Sequence, residues 1–153
     1  MPKKLTAAQL DEHLGYWLRF VSNHVSHAFR LKVETLGATV AEWVVLRALF
    51  DEESLNPATL AERLGMTRGA ISKLADRLLA KRLIVCRHEK DDRRFQSLSL
   101  SVAGRKLVPK LAALADRNEE EFFGHLRADQ RASLADMLQE IVRRRELSGV
   151  PLD

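Results

Sequence analysis

Residues 60–94 constrain the chain most, because two short amphipathic segments meet there at a glycine and a charged β pattern follows at once. Leu60-Ala61-Glu62-Arg63-Leu64-Gly65 ends one helical stripe. Met66-Thr67 opens the next, with Thr67 as cap and Ile71, Leu74, Ala75, Leu78 and Leu79 on its buried face. Ala61, Gly65 and Ile71 have the spacing of a helix-turn-helix: a small residue where the helices cross, a glycine for the sharp turn, and a branched residue inside. Ile84-Val85-Cys86-Arg87 then reads as a strand, and Gln96-Ser97-Leu98-Ser99-Leu100-Ser101 alternates with a period of two. The charged residues 88–95 between them make a hairpin tip, or wing. The fold class this order predicts is mainly α with a small β-hairpin wing (α+β).

The same stretch holds ten Lys or Arg against five acids, a net charge of +5 in a chain whose total is +4. The remainder is therefore close to neutral, and the basic excess is local. A local excess points to a polyanionic partner. On the face of the second helix opposite its apolar stripe stand Arg68, Ser72, Lys73, Asp76 and Arg77, with Arg87 on the strand beyond.

The flanks are helical by pattern. Thr6 with Gln9 has capping-box spacing, and Leu10, Leu14, Trp17, Leu18, Val21, Val25, Ala28 and Phe29 recur until Leu36-Gly37. That predicts a helix about 40 Å long, more than a small core covers, so part of its stripe is expected to meet a second chain. Thr39 and Glu42 repeat the capping signature before Trp43, Val44, Leu46 and Leu49, and Asn56-Pro57 supplies a cap followed by proline at the first helical position. Ser101 can cap a helix carrying Leu107, Leu111, Leu114 and Phe122, with a bend expected at Pro109. A last stripe of Leu134, Met137, Leu138, Ile141 and Val142 ends in Arg143-Arg144-Arg145.

In these motifs the chain resembles the MarR family of winged helix-turn-helix transcriptional regulators, over about residues 10–145. The resemblance rests on Trp43-Val44-Val45-Leu46-Arg47-Ala48-Leu49, Leu60-Ala61-Glu62-Arg63-Leu64-Gly65-Met66, Lys90-Asp91-Asp92-Arg93-Arg94, and Leu100-Ser101-Val102-Ala103-Gly104. It implies a single domain over residues 1–153, with dimerisation helices at 5–36 and 102–147 and a DNA-binding region at 39–101. It also implies a homodimeric repressor on double-stranded DNA with a pseudo-palindromic operator, relieved by a small aromatic or phenolic effector. The DNA-binding set it implies is Thr67, Arg68, Ser72, Lys73, Asp76, Arg77, Arg87, Asp92, Arg93 and Arg94. Within it Arg94 would enter the minor groove, oriented by Asp92. Where the family usually has glycine in a Lys-Gly-Leu sequence this chain has Lys81-Arg82-Leu83, so Arg82 is expected in the left-handed conformation at a cost of about 1 kcal/mol.

Trp17, His24, Trp43 and Arg47 are candidates for an effector site, aromatic rings to stack on a ligand and a guanidinium to pair a carboxylate, although the same residues suit plain core packing. His13, His24 and His27 lack the carboxylate or thiolate neighbours that would complete a metal tetrahedron, and a lone Cys86 in a strand suits a small buried hydrophobe; a metal- or redox-responsive regulator is the weaker alternative. No glycine-rich phosphate loop or nucleophile motif suggests an enzyme, and no cofactor is expected. A sequence-nonspecific architectural DNA-binding protein remains the rival reading. No apolar run of signal-peptide or membrane-span length is present, so the expected location is cytoplasmic, with no membrane partner.

Overall fold

The computed structural model describes residues 6–89 and 92–149, the side chains of Glu89 and of residues 92–95 excepted. Along the chain, α1 (Leu14–Glu34), α2 (Val40–Phe50), α3 (Pro57–Leu64) and α4 (Arg68–Ala80) precede a hairpin of β1 (Ile84–Glu89) and β2 (Asp92–Leu100). Two helices follow, α5 (Val102–Phe123) and α6 (Ala128–Arg144).

The local signals for the central helices act as the sequence predicts. Thr39 Oγ1 accepts the Glu42 N–H at 3.1 Å while the Glu42 carboxylate accepts the Thr39 N–H at 3.1 Å. Asn56 caps α3 through the Thr59 N–H at 2.7 Å, Thr67 caps α4 through Ala70, and Ser101 caps α5 through Gly104. Gly65 closes α3 in the left-handed conformation, and Arg82 takes it after α4 with φ 58°. The Leu83 N–H returns to Leu78 O and the Leu83 carbonyl accepts the Ser101 N–H, so the exit of α4 and the exit of the hairpin are sewn together. Gly104 is forced by this approach: a Cβ there would collide with the Leu83 carbonyl.

The N-terminus departs from expectation. Thr6 lies in coil, and the capping box forms one step later, where the Gln9 N–H donates to Glu12 Oε2 at 2.7 Å around a single 3-10 turn, Leu10–Glu12. His13 is extended, so α1 starts at Leu14 and spans 21 residues, about 32 Å and not about 40 Å. Both residue pairs have the same spacing; a charged carboxylate is the stronger acceptor, and Glu12 takes the role. Trp17 Nε1–H then donates to Asp11 O at 2.9 Å, pinning the turn to α1. The strands are also longer than the period of two suggested. They take in His88 and Glu89 on one side and residues 92–95 on the other, with a register shift between His88 and Glu89 where the partner passes from Gln96 to Asp92. α5 runs through Pro109 as one helix.

The core belongs to the middle of the chain. Leu46, Leu49, Leu60, Ile71, Leu78, Ile84 and Leu98 are fully buried, joined by Val33 from α1 and Val108 and Leu111 from α5. Leu55, between α2 and α3, exchanges two backbone hydrogen bonds with Leu98 at 2.8 and 2.9 Å, which adds a third edge to the hairpin. α6 buries none of its residues, and α1 buries only Val33. Leu14, Trp17, Leu18, Phe20 and Val21 on α1, and Met137, Leu138, Ile141 and Val142 on α6, stand exposed. Among the described residues no helix is long and apolar enough to cross a membrane.

Candidate nucleic-acid interface

α4 buries Ile71, Leu74, Ala75 and Leu78, and this fixes which residues it turns outward. Arg68, Ser72, Lys73, Asp76 and Arg77 are all exposed, as the stripe required. They divide by i, i+4 spacing into two flanks. Lys73 and Arg77 border an apolar groove towards α2 and the α3–α4 turn, whereas Ser72 and Asp76 border a cavity of about 280 Å³ towards the hairpin. Thr67 sits exposed at the helix N-terminus, where its oxygen is held by Ala70 N–H at 3.1 Å. Arg87 is exposed on β1 opposite Ser97. Asp92, Arg93 and Arg94 belong to β2 by backbone, and their side chains lie outside the described residues, as Lys90 and Asp91 do entirely.

Ion pairing sorts the cations of residues 60–94. Arg63 is bound to Glu52 at 2.6 Å. Lys81 donates to both oxygens of Glu42, at 2.8 and 3.1 Å, and to Gly37 O at 2.8 Å. Glu42 is 1% exposed, so Lys81 neutralises a buried carboxylate and is not available to a polyanion. Sequence reasoning counted Lys81 with the basic surface; the partners are 39 residues apart, and only the capping role of Glu42 was visible locally. Among the described residues no ion pair holds Arg68, Lys73 or Arg77, so these are the cations α4 presents.

The effector candidates fall into two places. Trp43 packs edge-on against Phe29, ring centroids 6.5 Å apart, and with Arg47 lines a cavity of about 400 Å³ rimmed by Asp51, Glu52 and Arg63. Arg47 pairs with Asp51 at 2.7 Å and lies 5.8 Å from the centre of the Phe50 ring. Trp17 and His24 belong instead to an exposed aromatic row on α1 with Tyr16 and Phe20, in which the His24 ring lies tilted against Phe20, centroids 4.8 Å apart. Trp17 is about 18 Å along the helix axis from Phe29. His27 contacts Arg30, and His13 contacts Gln9 O. Cys86 is half-buried on β1, facing the cavity between the hairpin and α4.

The clamp between α1 and α5 was not visible in sequence. Asn118, 4% exposed, donates through Nδ2 to Val25 O at 3.1 Å and accepts from Lys32 Nζ at 3.0 Å. Lys32 also reaches Glu121 at 2.6 Å, and this hydrogen bond, ahead of that from Arg117, holds the Glu121 carboxyl below its ordinary value. A buried Asn amid helical apolar positions is the one sequence signal that could have marked it.

Comparison with known proteins agrees with this geometry. The sequence model described as MarR family matches residues 36–94. The HTH-type transcriptional repressor MdtR of Bacillus subtilis is 39% identical over 113 residues, covering 67% of this chain and 73% of that protein. Two solved structures share the fold. One is Bordetella bronchiseptica BpsR, whose DNA binding is regulated by 6-hydroxynicotinic acid, with TM-score 0.78, 23% identity and coverage of 90% of this chain and 99% of that one. The other is a MarR mutant from Escherichia coli complexed with operator DNA, with TM-score 0.77, 21% identity and coverage of 89% and 99%.

Proposed function

The chain belongs to the MarR family of transcriptional regulators, and from that premise we propose that it is a homodimeric, sequence-specific repressor released from DNA by a small aromatic or phenolic acid. The observation that carries this reading is the outer face of α4, where Arg68, Lys73 and Arg77 stand exposed around Ser72 and Asp76. In the proposed complex α4 lies in the major groove. Thr67 and Arg68 meet the backbone at its N-terminus, and Ser72, Lys73, Asp76 and Arg77 meet base edges or phosphates. The hairpin follows the DNA outward, bringing Arg87, Arg93 and Arg94 to the flanking minor groove, with Asp92 holding Arg94 in register. Asp76 on the reading face disfavours indiscriminate backbone binding, which separates a regulator from an architectural protein.

Two copies would join through α1, α5 and α6, the helices taken as the dimerisation parts of a single domain, with residues 39–101 as the DNA-binding part. The exposed apolar residues of α1 and α6 support this arrangement. Effector release requires a ligand that binds the DNA-competent and DNA-incompetent spacings unequally. The Trp43 and Arg47 cavity supports an aromatic acid there, and the regulation of BpsR DNA binding by 6-hydroxynicotinic acid supports that ligand class.

Selection of bound fragments from genomic DNA, followed by affinity measurement against scrambled DNA, tests the reading. A palindrome with half-sites about one helical turn apart, bound at least roughly a thousandfold tighter than scrambled DNA, is the expected result. Equal, steeply salt-dependent affinity for both would overturn it.

A further inference from the structure

α5 carries its charges in two blocs. From Val102 to Ala115 it has three cations, Arg105, Lys106 and Lys110, and no acid; from Asp116 to Phe123 it has four acids, Asp116, Glu119, Glu120 and Glu121, and one cation, Arg117. This order opposes the helix dipole, which favours acids in the first turn and cations in the last. The helix itself gains nothing from it.

Partners within the chain take up only some of these groups. Arg117 holds Glu121 at 3.0 Å, Glu119 lies 3.6 Å from Arg131, and Arg105 donates to Phe50 O at 3.4 Å. Among the described residues no ion pair holds Lys106, Lys110, Asp116 or Glu120, and all four are exposed. Lys106 and Lys110 stand four residues apart, as do Asp116 and Glu120, so each pair sets like charges on neighbouring turns, which destabilises an isolated helix.

α5 buries Gly104, Val108, Leu111 and Asn118 against its own chain, and the four charges lie on the other side around Ala113, itself exposed. Lys106, Ala113 and Glu120 are seven residues apart and share one stripe; Lys110 and Asp116 flank it, three residues to either side of Ala113. A second α5 laid antiparallel, Ala113 on Ala113, therefore brings the basic half of each helix against the acidic half of the other. The small side chain at the centre lets the two helices approach closely.

We propose that this outer stripe of α5 binds the same stripe of a second copy, antiparallel about a two-fold axis at Ala113, with Lys106 and Lys110 facing the partner's Glu120 and Asp116. The contact runs about 21 Å and offers a handful of residues a side, where a stable interface takes roughly 20–30. It is charged, whereas the unpartnered faces of α1 and α6 are apolar. The stripe thus suits a weak, salt-sensitive contact between dimers already joined by those faces, and it would make binding to neighbouring DNA sites cooperative. The dimers and that consequence rest on the reading of function given above; the pairing of α5 does not.

Two charge variants test the pairing. Lys106→Glu with Lys110→Glu makes the stripe acidic throughout, and Asp116→Lys with Glu120→Lys makes it basic throughout. In sedimentation the wild type should form four-chain particles at about 0.01 M salt and two-chain particles at about 1 M, where the screening length falls from about 30 Å to about 3 Å. Each variant alone should stay two-chain at low salt, its association at least tenfold weaker, and an equimolar mixture of the two should recover the four-chain particle. Variants that associate as wild type does, or a mixture that does not associate, overturn the proposal. In a Cys86→Ser background, Ala113→Cys should form an interchain disulfide faster than Ala103→Cys, which the pairing sets about 30 Å from its counterpart. An oxidised particle of two chains overturns the assignment to a contact between dimers. A wild type that passes only from two chains to one, with the same charge dependence, keeps the pairing of α5 and strikes the dimer reading.

Discussion

The winged unit hides its apolar residues within one chain, whereas α6 and the first half of α1 leave theirs in water. Leu46, Leu49, Leu60, Leu78 and Leu98 are all but inaccessible, while Leu14 is 82% and Met137 59% exposed. The amphipathic period is similar in both regions, so periodicity alone does not say where a stripe is buried. What differs is closure: α2, α3, α4 and the hairpin pack on one another, with Leu55–Leu98 and Lys81–Glu42 tying their ends, and α6 has no comparable partner in its own chain. A single copy thus completes the part proposed to read DNA and leaves incomplete the part that would set the distance between two readers.

The contrast can be broken most forcefully on α6. Leu138→Glu combined with Ile141→Glu should yield monomers by sedimentation, keep the thermal transition of the winged unit, and weaken operator binding about a hundredfold to ten-thousandfold, because the second α4 is no longer held nearby. A variant that stays dimeric would mean that these exposed residues serve something else. Lys81→Met attacks the other region. It strands the Glu42 carboxylate, and urea unfolding should show a loss of roughly 2–3 kcal/mol, below the about 3–5 kcal/mol of a fully enclosed pair because Lys81 itself reaches solvent. The dimer dissociation constant should not move.

Smaller effects sharpen the comparison. Asn56→Ala removes the α3 cap and should cost about 1 kcal/mol of winged-unit stability in the same unfolding assay. The pH dependence of the α1–α5 clamp should be slighter. The Glu121 carboxyl is held below 4.5 by Lys32, so its stabilisation is fully present above that value and is lost as pH falls through the lowered one. Denaturation midpoints of wild type and Glu121→Gln should therefore differ at neutral pH and converge in acid. A gap that persists at low pH would assign the effect to packing.

How much of this was legible in the sequence depended on the distance between partners. Thr39 with Glu42, Asn56 with Pro57, Thr67 with Ala70 and Ser101 with Gly104 act within one helical turn, and each cap formed where its residues predicted. Even the left-handed Arg82 followed from its place in a known turn. Thr6 failed because two overlapping boxes competed and the carboxylate of Glu12 is the stronger acceptor, a ranking that spacing alone does not give. Asn118 with Val25, 93 residues apart, and Lys81 with Glu42 depend on which helices meet, so spacing along the chain is silent about them. The exposed face of α4 was readable because its buried face was. The separation of Trp17 and His24 from Trp43 and Arg47 was not, since aromatic residues on two helices carry no marker of relative height.

The Asn118 clamp gives α5 a mechanical character. The helix is fastened to α1 near its C-terminal end and meets the hairpin at the other, 22 residues or about 33 Å in all. From Asn118 to Val102 is about 24 Å, so a rigid rod pivoting by about 8° at the clamp moves its far end by about 3 Å, close to the rise of one base pair of B-DNA, about 3.4 Å. Because Val108 and Leu111 fix α5 in the core of the winged unit, such a rotation would carry that unit with it, by about one base-pair step.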